Sequence, residues 1–273
     1  MISKTNPTTL RAVVLDWAGT AVDYGCMGPA AVFVEVFRKF NIAVTVSEAR
    51  QFMGLAKKEH IRSMCALPSV VAQWQAKTGQ VPDEADVERL YSETEPMMVA
   101  AISKHAEPIP GLFDFVDGMR ERGIKIGTCT GYTAPMMEAL VPAAAKQGYR
   151  PDAIVCASDV PKGRPSPFMC YLNALKLGIY PFAAMAKIGD TLSDIEEGIN
   201  AGMWTIGLTQ SGNELGLAEK EISRMPRNEL DTRLLEIESR YRQTGAHYVV
   251  KGIWECLSVI DRINERLAAG ERP

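Results

Sequence analysis

The chain has 273 residues, enough for one large domain or two smaller ones, and 47% hydrophobic with 23% charged residues is ordinary for a globular protein. The net charge of -3 gives no reason to expect a nucleic acid or an anionic membrane as partner. A polar stretch from Met1 to Leu10, the lack of an apolar run of about 18 residues and six scattered cysteines predict a cytoplasmic protein with reduced thiols, no secretion signal and no membrane span.

The first predicted element is a short buried strand over residues 12–16. Its apolar residues run into Asp16, and a small-residue turn with Ala18, Gly19 and Thr20 follows. A short apolar run that ends in such a turn is typical of a buried strand. In α/β sheets, ligands bind at the carboxyl ends of the strands. We therefore expect the Asp16 carboxylate at a ligand-binding edge of a parallel sheet.

The next stretch, from Ala30 to about Ile102, predicts helices and no strand. The predicted helices cover residues 30–40, 57–66, 69–77 and 83–103. Ser47 is expected to begin a further helix as its N-cap. The sequence thus predicts an all-helical insertion, with a cap domain at 24–103 and a core domain formed by 1–23 and 104–273.

The remaining chain predicts strands that alternate with helices. The strands are expected at 124–129, 153–156, 186–188, 204–207 and 247–250, and the helices at 112–122, 133–146, 167–177, 193–201 and 229–242, with a last one from 254. This alternation predicts a parallel sheet with right-handed crossovers. The expected fold is therefore α/β, a Rossmann-like parallel sheet core with an inserted all-helical cap domain.

Polar residues at four predicted strand ends form one candidate site. Asp16, Thr130, Arg164, Asp190 and Asp194 should converge, because the carboxyl ends of parallel strands lie at one edge of the sheet. A carboxylate can attack phosphorus, two carboxylates can bind Mg²⁺, and a hydroxyl with a guanidinium can hold phosphoryl oxygens. The set predicts phosphoryl transfer with Mg²⁺ between Asp16 and Asp190, while Asp194 lies one helical turn beyond Asp190.

In this order, the motifs resemble those of the haloacid dehalogenase superfamily, whose nucleophile motif is usually Asp-x-Asp-Gly-Thr. Ala18 stands where that motif has its second acid. In phosphatases of the superfamily this acid protonates the leaving alkoxide, which alanine cannot do. Three interpretations stay open: loss of activity, a metal contact by the carbonyl of residue 18 with another group handling the leaving group, or a leaving group that departs as stabilised carbon.

The third interpretation needs an electron sink, and the helical insertion supplies a candidate. At helical spacing Met53, Lys57, His60 and Met64 share one stripe, which gives Lys57 a partly apolar face. Burial can lower the pKa of a lysine by up to about 3–5 units, and a neutral amine forms a Schiff base with an aldehyde. Taken alone, the stripe also fits a surface pair of Lys57 with Lys58 and a structural histidine.

Together these residues resemble the signature of the phosphonoacetaldehyde hydrolase family. The matching segments are Asp16–Thr20, Val22–Cys26, Met53–Lys57, Thr130–Tyr132, Gly163–Pro165 and Gly189–Thr191. The resemblance implies a Schiff base between Lys57 and the substrate aldehyde, attack on phosphorus by Asp16, and release of acetaldehyde and phosphate.

The resemblance also implies the remaining roles. The implied metal ligands are Asp16, the carbonyl of Ala18 and Asp190, with Asp194 in support. The implied substrate-binding residues are Thr130, Gly131, Arg164, Cys26 and Tyr132. Met53 and His60 would flank the imine, with His60 available for proton transfer. The resemblance further implies Mg²⁺ as cofactor, a small phosphonate as substrate and a homodimer joined through the cap domains.

Three other functions fit parts of the sequence. A haloacid dehalogenase-type phosphatase or phosphomutase acting on a small phosphate ester would leave its alkoxide without an acid at Ala18. A non-catalytic binding protein would have no use for the retained acids and Lys57. An aldolase-like lysine enzyme would use Lys57 but would not need the metal site of Asp16 and Asp190.

Overall fold

One parallel β-sheet organises the protein, which a computed structural model describes over residues 7–273. Residues 1–6, and with them most of the stretch from which we predict no secretion signal, lie outside the described residues. The strands are β1 (Ala12–Leu15), β2 (Lys125–Thr130), β3 (Ala153–Cys156), β4 (Met185–Gly189), β5 (Trp204–Leu208) and β6 (Tyr248–Val250), in the order β3-β2-β1-β4-β5-β6. All five pairings are parallel, which confirms the predicted α/β class.

Between β1 and β2, residues 27–102 form helices joined by loops. It contains α1 (Met27–Lys39), α2 (Val46–Arg50), α3 (Lys57–Cys65), α4 (Pro68–Thr78) and α5 (Glu84–Ile102). No strand interrupts these described residues, so the predicted all-helical insertion is confirmed. Its division from the core at residues 23 and 104 as a separate domain stays a prediction.

The predicted start of the second helix was wrong by two residues. Thr45, not Ser47, is the N-cap of α2. The Thr45 hydroxyl accepts a hydrogen bond from the Glu48 amide at 3.1 Å, and the Glu48 carboxylate accepts one from the Thr45 amide at 2.8 Å. This reciprocal capping box satisfies two amides that the first turn leaves unpaired, whereas Ser47 already lies inside the helix.

The described residues contain seven further helices, six of which the alternating pattern predicts. They are α6 (Leu112–Glu121), α7 (Ala134–Lys146), α8 (Phe168–Leu177), α9 (Leu192–Asn200), α10 (Glu219–Ile222), α11 (Arg227–Gln243) and α12 (Cys256–Ala268). The four-residue α10 is not among the predicted elements, because one helical turn is too short to show apolar periodicity. No helix of the described residues combines the length and the apolar character needed to cross a membrane.

The insertion packs directly on the carboxyl edge of the sheet. Residues of β1 and of the insertion, including Leu15, Phe33 and Ile61, belong to one continuous buried apolar cluster. The loop between α2 and α3 lies against the end of β2, where a Cβ on Gly131 would come within 2.4 Å of the Leu55 carbonyl oxygen. This contact places the insertion over the strand ends that carry the predicted site.

Candidate active site

A small cavity lies between the strand ends and the α2–α3 loop, with a volume of about 20 Å³. That is room for about one water molecule. The lining residues are Asp16, Ala18, Cys26, Pro29, Met53, Gly54, Lys57, Thr130, Gly131, Tyr132, Arg164 and Thr191. Nine of the twelve site residues predicted from the sequence are in this lining. The other three, His60, Asp190 and Asp194, lie outside it.

Asp16 sits at the end of β1, where its amide donates to the Ile188 carbonyl at 2.9 Å and so continues the pairing with β4. The residue is only 6% exposed, and its Oδ1 accepts a hydrogen bond from Arg164 Nη2 at 2.7 Å. Burial raises the pKa of Asp16 to about 6, against the opposing charge of Arg164. The carboxylate is thus held in place and poorly hydrated, as a nucleophile toward phosphorus should be.

Arg164 is the centre of a buried ion cluster. Beyond Asp16, its guanidinium pairs with Asp194 at 3.0 Å and with Glu197 at 2.9 Å, and it donates to the Cys129 carbonyl at 3.0 Å. Burial disfavours the charge, but the surrounding carboxylates outweigh it and raise the pKa of Arg164 well above its usual value. Arg164 is therefore a permanent positive charge at the cavity wall.

Asp16, Asp190 and Asp194 bring one carboxylate oxygen each within 4.8 Å of one another. Asp190 accepts hydrogen bonds from Thr20 Oγ1 at 3.0 Å and from the Asn213 amide at 2.8 Å. Among the described residues no cation pairs with it, and burial together with the neighbouring carboxylates raises its pKa well above the usual value.

Asp194 differs from the other two acids, because two cations, Arg164 and Lys187, pair with it. Lys187 Nζ lies 2.5 Å from its Oδ1, and the Thr191 hydroxyl donates to its Oδ2 at 2.6 Å. Burial raises the pKa of Asp194, but Arg164 and Lys187 outweigh that effect and lower it. Asp190, which has no cation partner among the described residues, and Asp16, which pairs with Arg164 alone, therefore offer oxygen ligands that fit a hard divalent cation. Asp194 fits a supporting role.

Lys57 approaches the same cavity from the insertion, as the first residue of α3. It is 4% exposed, and its Nζ lies 4.8 Å from the ring centroid of Tyr132 and 5.7 Å from that of Phe33. No carboxylate of the described residues pairs with it, and burial lowers its pKa to about 8. The adjacent Lys58 is 39% exposed and pairs with Glu88, as expected for a surface lysine.

His60 lies behind Lys57 in the core of the insertion. Its ring stacks on Phe33 with centroids 3.8 Å apart, and its Nε2 lies 2.8 Å from the Ala49 carbonyl oxygen. Because a carbonyl only accepts, Nε2 carries the proton, and the buried Nδ1 has no partner among the described residues. Burial and the charge of Lys57 lower the pKa of His60 well below its usual value, so the ring is neutral.

Several residues that support the site were not predicted from the sequence: Thr20, Lys187, Thr191, Glu197 and Asn213. Lys187 could have been predicted as part of the site, since a lysine in the buried strand β4 needs a buried acid as partner. Glu197 could have been predicted as well, because it follows Asp194 by three residues and lies on the same face of the helix. Nothing in the sequence indicates that the Asn213 amide reaches Asp190.

The fold and these acids define the class of protein. A family model described as haloacid dehalogenase-like hydrolase matches residues 10–202. The chain therefore belongs to the haloacid dehalogenase-like hydrolases.

Within that class, the comparisons are more specific. The chain is 56% identical to the phosphonoacetaldehyde hydrolase of Nitratidesulfovibrio vulgaris over 97% of its length and 94% of that relative. It is 45% identical to that of Bacillus cereus strain AH820, over 94% and 97% of the two chains. A solved phosphonoacetaldehyde hydrolase like protein from Oleispira antarctica superimposes with a TM-score of 0.95 at 39% identity, covering 97% and 96%. The chain belongs to the phosphonoacetaldehyde hydrolase family.

Proposed function

We propose that this protein hydrolyses the carbon–phosphorus bond of phosphonoacetaldehyde to acetaldehyde and phosphate. Its relatives at 45% and 56% identity carry the name of that activity. The observation that carries the proposal is the pairing of Lys57, a buried amine with a lowered pKa, and Asp16, a buried carboxylate, in the lining of one small cavity. An amine that engages an aldehyde and a carboxylate that attacks phosphorus are the two groups this reaction needs.

In the proposed first step, Lys57 attacks the aldehyde carbon and water leaves, which forms an imine. A pKa of about 8 leaves roughly a tenth of the amine neutral at pH 7, far more than a solvated lysine has. The free Nδ1 of His60 is the proposed acceptor for the proton that the amine releases. Met53 lines the cavity on the same side and is proposed to flank the imine.

In the second step, Asp16 attacks phosphorus, and the electrons of the carbon–phosphorus bond move into the imine to form an enamine. Arg164 and Thr130 hold the phosphoryl oxygens, with Gly131, Cys26 and Tyr132 completing the substrate pocket. Water then hydrolyses the aspartyl phosphate. Protonation of the enamine and hydrolysis of the imine release acetaldehyde, so one water is consumed overall.

Mg²⁺ is the proposed cofactor. Its proposed ligands are Asp16, Asp190 and the carbonyl of Ala18, with Asp194 in support. The closeness of the three carboxylates supports this assignment, as does the lack of a cation partner for Asp190 among the described residues. When bound, Mg²⁺ would neutralise charge on the phosphoryl group and on both carboxylates.

Ala18 argues against a phosphatase or phosphomutase acting on a phosphate ester. Its side chain lines the cavity where an acid would protonate an alkoxide, and Asp16 is the only acid among the lining residues. A carbon leaving group stabilised as an enamine needs no acid at that position.

The organisation we propose comprises a core domain of residues 1–23 and 104–273 and a cap domain of residues 24–103. We further propose a cytoplasmic homodimer joined through the caps, which the family resemblance supports. Light scattering coupled to gel filtration tests this assembly, and a purely monomeric protein at micromolar concentration would contradict it.

The decisive experiment supplies phosphonoacetaldehyde and Mg²⁺ and measures both products. We expect phosphate and acetaldehyde in equal amounts, loss of activity after chelation, and recovery on addition of Mg²⁺. Borohydride added during turnover should trap an adduct that peptide mapping locates on Lys57. Absence of phosphate release by the wild type would contradict the proposed function, and an adduct on Lys58 would contradict the assignment of the lysine.

A further inference from the structure

A reciprocal pair of hydrogen bonds joins the insertion to the core beside the cavity. Arg50 ends α2, and Asn213 lies in the loop after β5. Arg50 Nη1 donates to Asn213 Oδ1 at 3.1 Å, and Asn213 Nδ2 donates back to the Arg50 carbonyl at 3.1 Å. Arg50 Nη1 also donates to the carbonyl of Gly25 at 2.9 Å, immediately before the lining residue Cys26.

Asn213 also holds the proposed metal site. Its main-chain amide donates to Asp190 Oδ2 at 2.8 Å, and the residue is 3% exposed. One residue therefore contacts the insertion through its side chain and the carboxylate of Asp190 through its main chain. Neither Arg50 nor Asn213 lines the cavity, so neither contacts a substrate placed there.

The loop that follows Arg50 contributes part of the insertion's lining of the cavity and packs tightly against the core. Met53 and Lys57 both line the cavity, and Gly54 lies between them with a φ of +89°. A Cβ on Gly54 would come within 2.2 Å of Ser193 Oγ, so this backbone lies directly on the start of α9. A small displacement of Arg50 would therefore move Lys57 relative to Asp16.

We infer that Arg50 and Asn213 are positioning residues that fix the Met53–Lys57 loop in register with Asp16 and Asp190. The inference rests on the proposed function, because it concerns the same site. A two-part site demands such a contact: the aldehyde is bound from the insertion and the phosphoryl group from the core, and both ends must be placed at once. Through this pair, Arg50 of the insertion is bonded to Asn213, whose amide also binds the Asp190 carboxylate.

The test compares Arg50→Gln, Asn213→Ala and the double variant with the wild type. We expect kcat/KM for phosphonoacetaldehyde to fall by roughly 10- to 100-fold in each single variant, the size of effect that a displacement of about 1 Å produces. The double variant should lose no more than the worse single variant, since the two residues act as one unit. Arg50→Lys should recover part of the loss, because one donor can still reach an acceptor.

Two further measurements separate positioning from a general structural role. The inhibition constant of inorganic phosphate, whose proposed binding groups lie on the core, should stay unchanged in all variants, while borohydride trapping on Lys57 should slow. The matched control is Arg38→Gln, which removes an exposed arginine of α1 that pairs with Glu35, and it should behave as wild type.

The outcomes are distinct. A wild type without phosphate release would contradict the proposed function itself. An active wild type with fully active Arg50→Gln would overturn the inference. The inference would also be overturned if phosphate affinity and melting temperature fell together with kcat/KM, because that result would show a general loss of structure. If Asn213→Ala fails to fold, Arg50→Gln and Arg50→Lys alone decide.

Discussion

Two buried cations line the same cavity, and their surroundings shift their pKa values in opposite directions. Arg164, on the core, is 5% exposed and touches three carboxylates, which raise its pKa. Lys57, on the insertion, is 4% exposed and has aromatic rings around it, and burial lowers its pKa to about 8. The surroundings favour the charged form of Arg164 and disfavour the charged form of Lys57, which fits the proposed roles of an anion-binding group and a reacting amine.

The difference follows from the elements that carry the two side chains. The core supplies acids, because the neighbouring strands β1 and β4 both end in a carboxylate at the same edge of the sheet. The insertion supplies apolar surface, because α1 and α3 pack against each other through Phe33 and the stripe that includes Lys57. Lys57 is also the first residue of α3, where the positive end of the helix dipole favours the neutral amine.

The largest expected effect comes from replacing the amine while keeping a cation. Lys57→Arg should abolish turnover almost completely, because a guanidinium stays protonated and does not form an imine. Phosphate release from phosphonoacetaldehyde measures the effect. Lys58→Arg is the matched control, since Lys58 pairs with Glu88 at the surface, and it should keep wild-type activity. Wild-type rates in Lys57→Arg would refute the imine mechanism.

The second prediction removes the core cation. Arg164→Gln should lower the free energy of unfolding by about 3–5 kcal/mol, because Asp16, Asp194 and Glu197 lose their buried partner. Urea unfolding of the metal-free protein measures it. Arg242→Gln removes a 59% exposed arginine paired with Glu238 and should change the free energy of unfolding by less than about 1 kcal/mol. Similar stabilities of the two variants would contradict the central role of Arg164.

The contrast between the cations also explains what the sequence could and could not predict. The strands, and the convergence of Asp16, Thr130 and Arg164, follow from local patterns and the geometry of parallel sheets. The lowered pKa of Lys57 was likewise anticipated from its apolar helical stripe.

What the sequence did not reveal depends on contacts between distant segments. Lys187 neutralises Asp194 across the β4–α9 turn, and Asn213 reaches Asp190 from a loop without a recognisable pattern. The family resemblance implies that His60 flanks the imine, and helical spacing did not reveal that its ring stacks on Phe33, outside the lining of the cavity. Helical spacing specifies a face, but the neighbouring helix decides which members of that face reach the cavity.

The smallest expected effect concerns Lys57 and is measured as a change in the free energy of unfolding. Lys57→Met should raise the free energy of unfolding at pH 7 by up to roughly 3 kcal/mol, because a lysine whose folded pKa is about 8 destabilises the fold when it must be charged. The unfolded chain binds this proton up to about pH 10.5 and the folded chain only up to about pH 8. Between these values the unfolded state holds more protons, so the wild type's free energy of unfolding should increase with pH.

Urea unfolding of the metal-free protein from pH 7 to pH 10.5 checks both parts. In Lys57→Met the increase with pH should flatten, and its advantage over the wild type should shrink toward the alkaline end. Lys58→Met is the control, because an exposed lysine paired with Glu88 gives no such rise, and it should keep the slope of the wild type. A Lys57→Met variant that is less stable than the wild type at pH 7 would show that the amine is held by a stabilising partner. The site would then contain two charged cations of the same kind, and the contrast between Arg164 and Lys57 would fail.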